Sequence, residues 1–521
     1  MKRKFLFLIS ILIPFVVHSE TIDIYHTSDV HGMYSSREAK WDKTNPTRKI
    51  GGYAALFSLV KKDTNPYILL DSGDLFQGTP EGNITKGEAS IKFMNMLGYS
   101  GVVVGNHDYD FGEDNLKKLV SLSRLNFYFL GANVYYEKDS KPVQYLIPWF
   151  IKKIAGKRIA ILGLAGVHTK TSTLPLNVKH LKFEDEATEA EKYVKKIQGT
   201  TKTDAIIILA HIGIDGDLSQ KIVDISTYTY KNPSKHSTIS VARTAKNATV
   251  VLGGHNHTGL SNGWIDPKTN TLICESYWGL THVSKITLEF DDKTGKIKNK
   301  SCKLIPLWVD ETGEDSDVLK LTEEISSETA KKMDIVIGTA TDNLNFESNS
   351  FDNAIGNFVT DVTMWKANAD MAFQNAGGIR NVINQGDIKL RDVYEVMPFE
   401  NTIVKLKMKK DQIYELIKDN LRPDRTSMYI SGIKVKYKVV DNKISDIIIE
   451  KDGKELDNEK EYIVATNNYL VSGGSGGRAF TKVNPQNTDD TMILVRDAII
   501  DYIREKKEIK APDTQRFIPM E

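Results

Sequence analysis

Five clusters of metal-binding residue types occur in the first half of the chain, each directly after a short apolar run. His, Asp and Asn side chains bind borderline divalent cations such as Zn²⁺, Mn²⁺, Fe²⁺ or Co²⁺. Glycines among them allow the backbone to turn tightly around an ion. Because the chain has only two cysteines, such a site would be built without a cluster of thiolates. The clusters are residues 28–32, 71–74, 105–110, His211 and residues 253–257.

The apolar runs predict the elements that hold these clusters. Six runs alternate with amphipathic stretches, which is typical of an α/β fold. The carboxyl ends of parallel strands line one crevice, so residues far apart in the sequence would meet there. The predicted strands are residues 21–25, 67–70, 102–104, 159–164, 205–209 and 249–252.

Three histidines lack the pattern of the clusters. His168 follows the run at 159–164 without neighbouring ligand types, and His26 and His282 lie inside strand-like segments. A lone histidine in such a position is more often a polar residue of the fold than a ligand. We therefore interpret all three as structural.

Glycines indicate where two of the amphipathic helices end. Glu88–Leu97 is predicted to be a helix ended by Gly98, and residues 185–198 to be a helix ended by Gly199. Later in the chain the pattern changes, because residues 283–290 alternate as a strand does.

The chain divides into two units. Residues 315–332 are charged and helix-prone, and a second α/β unit begins at Asp334 and closes with a helix near residues 492–505. All eleven histidines lie at or before His282. Histidine-dependent chemistry therefore belongs to the first unit, and the second unit does something else.

The amino terminus has the features of a signal peptide. Residues 2–4 are basic, and the apolar run at 5–17 is shorter than the ~20 residues needed to cross a bilayer. With cleavage after Ser19, residues 1–19 would be removed on export, leaving no stable membrane insertion. The periplasm, the cell surface and the medium all remain open as destinations.

The balance of charge excludes two classes of protein. The 69 basic and 68 acidic residues leave a formal net charge of +1. That balance excludes a polybasic binder of nucleic-acid polymers and an acidic disordered chain.

The two cysteines lie in successive strand-like segments. Cys274 falls in residues 271–276 and Cys302 in residues 296–305. Export would permit a disulfide between them, but two unlinked buried thiols fit the pattern equally well.

The ordered motifs Asp-x-His, Gly-Asp, Gly-Asn-His-Asp, His and Gly-His-x-His resemble those of the calcineurin-like metallophosphoesterases. Together with the signal peptide and the Asn-Ala-Gly-Gly-Ile-Arg sequence at 375–380, they make the chain similar to the bacterial 5′-nucleotidases, a family that includes UDP-sugar hydrolases. The resemblance implies an α/β (α+β) architecture, in which a four-layer αββα metallophosphoesterase domain precedes a smaller α/β substrate-binding domain. The implied boundaries are 20–314 for the first domain, 315–333 for a linker helix and 334–521 for the second.

The resemblance also implies a centre of two divalent metal ions, Zn, Mn or similar, that share Asp74. Two such ions neutralise phosphoryl oxygens and lower the pKa of a bound water toward about 7, which supplies hydroxide at neutral pH. His107 would face the leaving oxygen of the substrate, with Asp110 as its dyad partner. The remaining implied ligands are Asp29, His31 and His257 at one ion, and Asn106, His211 and His255 at the other.

In the second domain, the resemblance implies that Asn375 and Arg380 contact the phosphate and sugar of a nucleotide and that Tyr469 stacks on its base. The chain departs from the family pattern at three places. No arginine occurs in residues 347–352, and Ser427 and Ser475 replace an aromatic and an acidic residue. The candidates to compensate are Arg422, Arg425 and Arg478.

The function implied is an exported, metal-dependent hydrolase of phosphate esters, with a nucleotide or a related ester as its partner and 5′-nucleotidase activity as the first hypothesis. The alternatives are a 2′,3′-cyclic-nucleotide phosphodiesterase or UDP-sugar hydrolase on the same scaffold, and more remotely a sulfur-ester hydrolase or a catalytically silent surface-binding protein. Hydrolysis of a chromogenic phosphate ester would separate the enzymes from the binding protein.

Overall fold

The computed structural model describes residues 20–123, 126–346 and 351–520. The predicted signal peptide, residues 1–19, lies outside this range. Within it, no helix combines the length and the apolar character needed to cross a membrane.

Two six-stranded sheets form the centre of the first half of the chain. The strands in the middle of each sheet that pair in parallel are buried on both faces, which explains the continuous apolar runs in the sequence there. His282–Phe290 pairs antiparallel with both of its neighbours and keeps the alternating pattern. In spatial order the first sheet contains Ile297–Pro306, His282–Phe290, Glu20–Thr27, Tyr67–Asp71, Gly101–Val103 and Tyr128–Leu130. The second contains Trp264–Ile265, Leu272–Glu275, Val250–Gly253, Ala205–Ala210, Lys157–Leu164 and Trp149–Ile154.

The two sheets pack face to face through an apolar core, in which Ile24, Leu70, Ile207 and Leu252 are buried. Helices cover the outer face of each sheet and bury their own apolar sides against it. The predicted four-layer αββα architecture is thereby confirmed. The helices of this half are Tyr53–Val60, Pro80–Ile84, Glu88–Leu97, Gly112–Ser123, Thr169–Ser172, Pro175–Val178, Glu186–Thr200, Thr238–Thr244 and Val309–Thr312.

The two cysteines lie in the core between the sheets. Cys274 and Cys302 are both buried there as free thiols.

One of the two predicted helix ends is confirmed, and the other is wrong. Glu88–Leu97 has the predicted bounds, and Gly98 ends it with φ of 77°, a left-handed conformation that glycine adopts without strain. The prediction at Gly199 is wrong, because the helix Glu186–Thr200 continues through that glycine. A glycine ends a helix only where the backbone must adopt the left-handed conformation, and the backbone at Gly199 does not.

The helix Ser316–Met333 connects the two halves. The Asp315 side chain caps its first turn by accepting the backbone N–H groups of Asp317 and Val318. Val318 and Ile325 are buried in the outer core of the first half, so the connecting helix packs against that half.

A five-stranded mixed sheet organises the second half, with apolar cores on both of its faces. Met371–Asn375 and Tyr462–Asn467 are parallel neighbours, and their carboxyl ends carry the predicted substrate-binding residues. The other strands of this sheet are Met428–Ser431, Thr402–Met408 and Thr488–Leu494. A three-stranded sheet contains Gly386–Lys389, Val336–Ala340 and Glu508–Ile509. A four-stranded sheet contains Lys454–Glu455, Lys443–Lys451, Lys434–Val440 and Phe517–Pro519. The helices are Ala354–Ala367, Leu390–Val396, Lys410–Asn420, Asn468–Val471 and Val495–Lys506.

Candidate active site

The predicted metal ligands come together at the carboxyl ends of the parallel strands of both central sheets. His211 Nε2 lies 3.2 Å from Asp74 Oδ2 and 3.1 Å from Asn106 Oδ1. His31 Nε2 lies 3.0 Å from His257 Nε2. The strand ends therefore converge as the sequence pattern predicts, and they bring side chains together from residues 29 to 257.

Asp74 lies between two groups of donor atoms. Its Oδ2 is 4.0 Å from His31 Nε2 on one side and 3.2 Å from His211 Nε2 on the other. One group contains Asp29, His31 and His257, whose donor atoms lie within 4.8 Å of one another. A carboxylate between two such groups has the placement that a bridging ligand requires.

Hydrogen bonds to backbone carbonyls orient two of the imidazoles. Nδ1 of His31 donates to the Gln77 carbonyl at 2.8 Å, and Nδ1 of His211 donates to the Ser72 carbonyl at 2.6 Å. A carbonyl oxygen only accepts, so each Nδ1 carries a proton, and Nε2 is the ring nitrogen that faces the other candidate ligands.

Asn106 is oriented in the same manner. Its Nδ2 donates to the carbonyl of Ser172 at 2.8 Å, which turns Oδ1 toward His211.

The backbone of the ligand loops is strained. Five of the seven predicted ligands are non-glycine residues with φ between 52° and 70°, a conformation that costs about 1–3 kcal/mol for such residues. Such strain persists only where the surrounding structure imposes it, as at functional sites. The five are Asp29, His31, Asp74, His255 and His257.

Asp108 ties two of these loops together. Its buried carboxylate accepts the backbone N–H groups of Asp74, Leu75 and Gly105 at 2.8–3.1 Å. Gly105 must lack a side chain, because a Cβ there would lie 2.2 Å from Asp74 Oδ1. The position of Asp74 relative to Asn106 is therefore set by the fold and not by a ligand.

The electrostatics of the donor set fit divalent cations. Burial raises the pKa of the Asp29 carboxyl to about 7, although the nearby charge of His211 acts to lower it. Burial lowers the pKa of His31 to about 3 and holds those of His255 and His257 well below their usual value. These imidazoles are neutral at pH 7, which is the form that binds a metal.

The pKa of His211 is shifted in the opposite direction, because this side chain lies close to Asp74. Burial lowers its pKa, but the Asp74 carboxylate outweighs burial and raises the pKa to about 10. A proton on His211 therefore offsets the charge of the neighbouring Asp74 carboxylate.

His107 and Asp110, the residues predicted to act as a dyad, lie within hydrogen-bonding distance of each other. Nδ1 of His107 lies 2.8 Å from Asp110 Oδ2, and the backbone N–H of His107 donates to Asp74 Oδ1 at 2.8 Å. Burial lowers the pKa of His107, yet the carboxylates of Asp110 and Asp74 outweigh it and raise the pKa above its usual value. The pair therefore favours an imidazolium with Nε2 available for a proton transfer.

A cleft of about 420 Å³ separates the dyad from the second half of the chain. His107, Asp110 and Asn106 line one wall, and the predicted substrate-binding residues line the other. A volume of this size is in the usual range for small-molecule sites. The residues of the second wall are Asn375, Arg380 and Tyr469.

Contacts across the cleft join its two walls. The Tyr469 hydroxyl donates to the Thr171 carbonyl at 2.6 Å. Asn83 Nδ2 donates to the Pro398 carbonyl at 2.9 Å, and Arg391 pairs with Glu81 at 2.8 Å.

The arginines considered as compensating residues are engaged elsewhere or lie off the cleft. Arg478 pairs with Asp419 at 2.8 Å, and Arg422 donates to the Leu421 carbonyl at 2.9 Å. Neither these two nor Arg425 lines the cleft in the described part of the chain.

The two serines at which the chain departs from the family pattern, Ser427 and Ser475, do line the cleft. Ser427 donates to Asn420 Oδ1 at 2.7 Å, and the backbone N–H of Ser475 donates to the Tyr469 hydroxyl at 2.9 Å. The stacking position at 427 therefore has no aromatic side chain.

Sequence reasoning missed three residues of the site. Thr173 donates to Asp110 Oδ1 at 2.7 Å, and the Phe399 ring lies 5.5 Å from that of His107. His168, interpreted as structural, lies against His255 with ring centroids 3.5 Å apart. Only His168 carried a signal in the sequence, as a histidine after a predicted strand.

Comparison with known proteins agrees with this geometry. Residues 22–259 match the calcineurin-like phosphoesterase family, and residues 336–482 match the 5′-nucleotidase C-terminal domain. The chain belongs to the 5′-nucleotidase family of calcineurin-like phosphoesterases. It is therefore a metal-dependent hydrolase of phosphoesters.

Individual relatives have low sequence identity to this chain but align with most of its length. A 5′-nucleotidase of Vibrio cholerae is 24% identical, with 96% of this chain and 92% of the relative covered. The trifunctional nucleotide phosphoesterase YfkN of Bacillus subtilis is 25% identical over 89% of this chain, which spans only 32% of that longer protein. The solved structure of a 5′-nucleotidase precursor from Thermus thermophilus shares the fold, with a TM-score of 0.81, 24% identity, and coverage of 96% of this chain and 99% of its own.

Proposed function

We propose that this chain is an exported 5′-nucleotidase, which hydrolyses nucleoside 5′-monophosphates to nucleoside and phosphate with two divalent ions. The observation that carries the proposal is one cleft in which His107 and two of the predicted ligands, Asn106 and His255, face Arg380 and Tyr469. One wall has the groups for phosphoester hydrolysis, and the other has a cation and an aromatic ring for a nucleotide.

The metal-binding residues would be Asp29, His31, Asp74 and His257 at one ion, and Asp74, Asn106, His211 and His255 at the other. When bound, such ions neutralise the phosphoryl oxygens and activate water for attack.

The side chains of the cleft do the rest of the chemistry. His107 donates a proton from Nε2 to the leaving oxygen, and Asp110 stabilises the imidazolium before that transfer. Arg380 binds the phosphate, since its planar guanidinium matches phosphate oxygens. Its guanidinium carbon lies 5.9 Å from the centroid of the Phe399 ring, an aromatic face that favours a cation there.

Tyr469 supplies an aromatic surface for the base. The ring lies against Gly474, where a Cβ would come within 2.4 Å of it, so one face is covered by backbone. Because Ser427 offers no second ring, we expect looser base selectivity than two stacking aromatics would give.

A substrate panel tests the proposal. Metal-stripped protein reconstituted with Zn²⁺, Mn²⁺, Co²⁺ or Mg²⁺ would be assayed on AMP, UMP, 2′,3′-cyclic AMP, UDP-glucose and p-nitrophenyl phosphate. We expect the highest kcat/KM on the 5′-monophosphates, and the His107→Ala protein, purified in parallel, excludes a contaminating phosphatase.

Other outcomes of the panel select other functions. A highest kcat/KM on the cyclic nucleotide or the UDP-sugar would replace 5′-nucleotidase activity by the corresponding alternative. Absence of hydrolysis on every ester would instead favour a binding protein.

Export rests on the basic and apolar residues at 2–17. Mass spectrometry of protein recovered from outside the cytoplasm should give an amino terminus at Glu20. An intact Met1 terminus found only in the cytoplasm would contradict export.

A further inference from the structure

His168 lies within the group of candidate metal ligands. Its ring stacks on that of His255 with centroids 3.5 Å apart and planes inclined by 22°, and it lies 5.9 Å from the ring of His211. One ring nitrogen from each of the three lies within 4.8 Å of the others. Imidazoles that bind one ion in adjacent positions have this closeness.

The Nε2 atom of His168 lacks a partner. It is buried and forms no hydrogen bond within the described residues. Leaving a buried polar atom unpaired costs about 1–3 kcal/mol, so such an atom calls for an explanation. A metal ion at the His211 and His255 nitrogens would satisfy it.

The local backbone is shaped to admit this ring. A Cβ at Gly166 would lie 2.0 Å from Cε1 of His168 and 2.7 Å from the carbonyl oxygen of His211. Any side chain at position 166 would therefore displace the imidazole from His211. The glycine, two residues before His168, keeps the ring beside the other two histidines.

We propose that His168 is a third imidazole ligand of the ion held by Asn106, His211 and His255. The inference rests on the proposed two-ion site and adds a residue to one of its ions. A further nitrogen donor makes that ion's surroundings richer in imidazole, which suits Zn²⁺, Fe²⁺, Co²⁺ or Ni²⁺ better than Mg²⁺.

The test uses a variant that separates ligation from stacking. His168→Phe keeps an aromatic ring against His255 but removes the nitrogens, whereas His168→Ala removes both. Co²⁺ would be titrated calorimetrically into metal-free protein, with ions counted by elemental analysis and the visible Co²⁺ spectrum recorded. The matched control is His180→Phe, since His180 is exposed and pairs with Glu113 away from the cleft.

We expect wild type and His180→Phe to bind two ions with the same affinities. His168→Phe should bind one of the two ions about 10- to 100-fold more weakly, with a changed Co²⁺ spectrum. If His168→Phe does not fold, as judged by its metal-free circular dichroism, His168→Leu, which also lacks a ligand atom, replaces it with the same expected loss.

Two results would overturn the proposal. Wild-type affinity in His168→Phe with a loss only in His168→Ala would show that the ring merely stacks on His255, and wild-type affinity in both variants would exclude any role in metal binding. If the wild-type protein binds no ion at all, the proposed two-ion function is wrong as well. If the wild-type protein binds two ions and only the His168 variants behave unexpectedly, the role of His168 alone is wrong.

Discussion

The two walls of the cleft are built in different ways. On the catalytic wall, Asp29, Asp74, Asn106 and His211 are no more than 1% exposed, and each is held by hydrogen bonds or a strained backbone. On the opposite wall, Arg380 is exposed, and its side chain makes one long hydrogen bond, at 3.4 Å, to the Gly377 carbonyl.

This difference indicates how the two walls divide the work. The candidate metal ligands are positioned before any substrate arrives, because the fold imposes their geometry. Arg380, the group proposed to bind the phosphate, is left exposed, so that the substrate itself provides its partner. Substitutions on the first wall should abolish chemistry, and those on the second should change selectivity.

Loss of the bridging carboxylate should have the largest effect. Asp74→Ala should remove both ions and lower kcat/KM by at least about 10⁴-fold, because two ions provide several kcal/mol of charge stabilisation. Elemental analysis and phosphate release measure the two effects, and Asp114→Ala, at an exposed aspartate, is the control. Retention of either ion at full affinity would show that Asp74 does not bridge.

The dyad should separate chemistry from metal binding. His107→Ala should keep its metal content and its thermal stability while kcat falls about 10²- to 10⁴-fold, the usual range for a positioned acid or base. Asp110→Asn should lose less, since His107 itself remains. Normal turnover in His107→Ala would mean that another group faces the leaving oxygen.

On the opposite wall, the effect should depend on the substrate. Tyr469→Ala should raise KM for nucleotides by about 5- to 150-fold, since stacking on a base is worth about 1–3 kcal/mol. An aryl phosphate without a base should be unaffected, and Tyr469→Phe, which keeps the ring, should resemble wild type.

The contrasting variant on the same wall is Arg380→Ala, which should impair both kinds of substrate. Unchanged nucleotide kinetics in Tyr469→Ala would place the base elsewhere.

The smallest effect is expected where the catalytic wall supports the dyad indirectly. Thr173→Val removes the hydroxyl that donates to Asp110 Oδ1, while the volume of the side chain is nearly kept. A net hydrogen bond of about 0.5–1.5 kcal/mol predicts a fall in kcat of about 2- to 13-fold, with KM and metal content unchanged. A change in KM alone would assign Thr173 to substrate binding and not to the dyad.

The sequence predicts the catalytic wall well because its information is local. Five of the six predicted strands are followed within a few residues by candidate ligands. The apolar run at 205–209, for example, becomes the strand Ala205–Ala210 that leads directly to His211. Gly98 ends its helix as predicted, whereas Gly199 does not. Only the tertiary structure decides whether the backbone at a glycine must adopt the left-handed conformation.

The residues that the sequence does not reveal depend on contacts between distant segments. Thr173 reaches Asp110 across 63 residues, and the Tyr469 hydroxyl reaches Thr171 across 298 residues. His168 has no ligand type beside it in the sequence. Its closeness to His255 follows from the sheet, in which the strands that precede the two histidines lie on either side of Ala205–Ala210. Such pairings are set by the fold and leave no periodic or motif signal.

Titration of the metal-stripped wild-type protein tests the two-ion centre most directly. AMP hydrolysis should be absent without metal and should rise with occupancy until two ions are bound per chain, as measured together by phosphate release and elemental analysis. Full activity in a protein that contains no divalent ion and is insensitive to chelator would contradict the account.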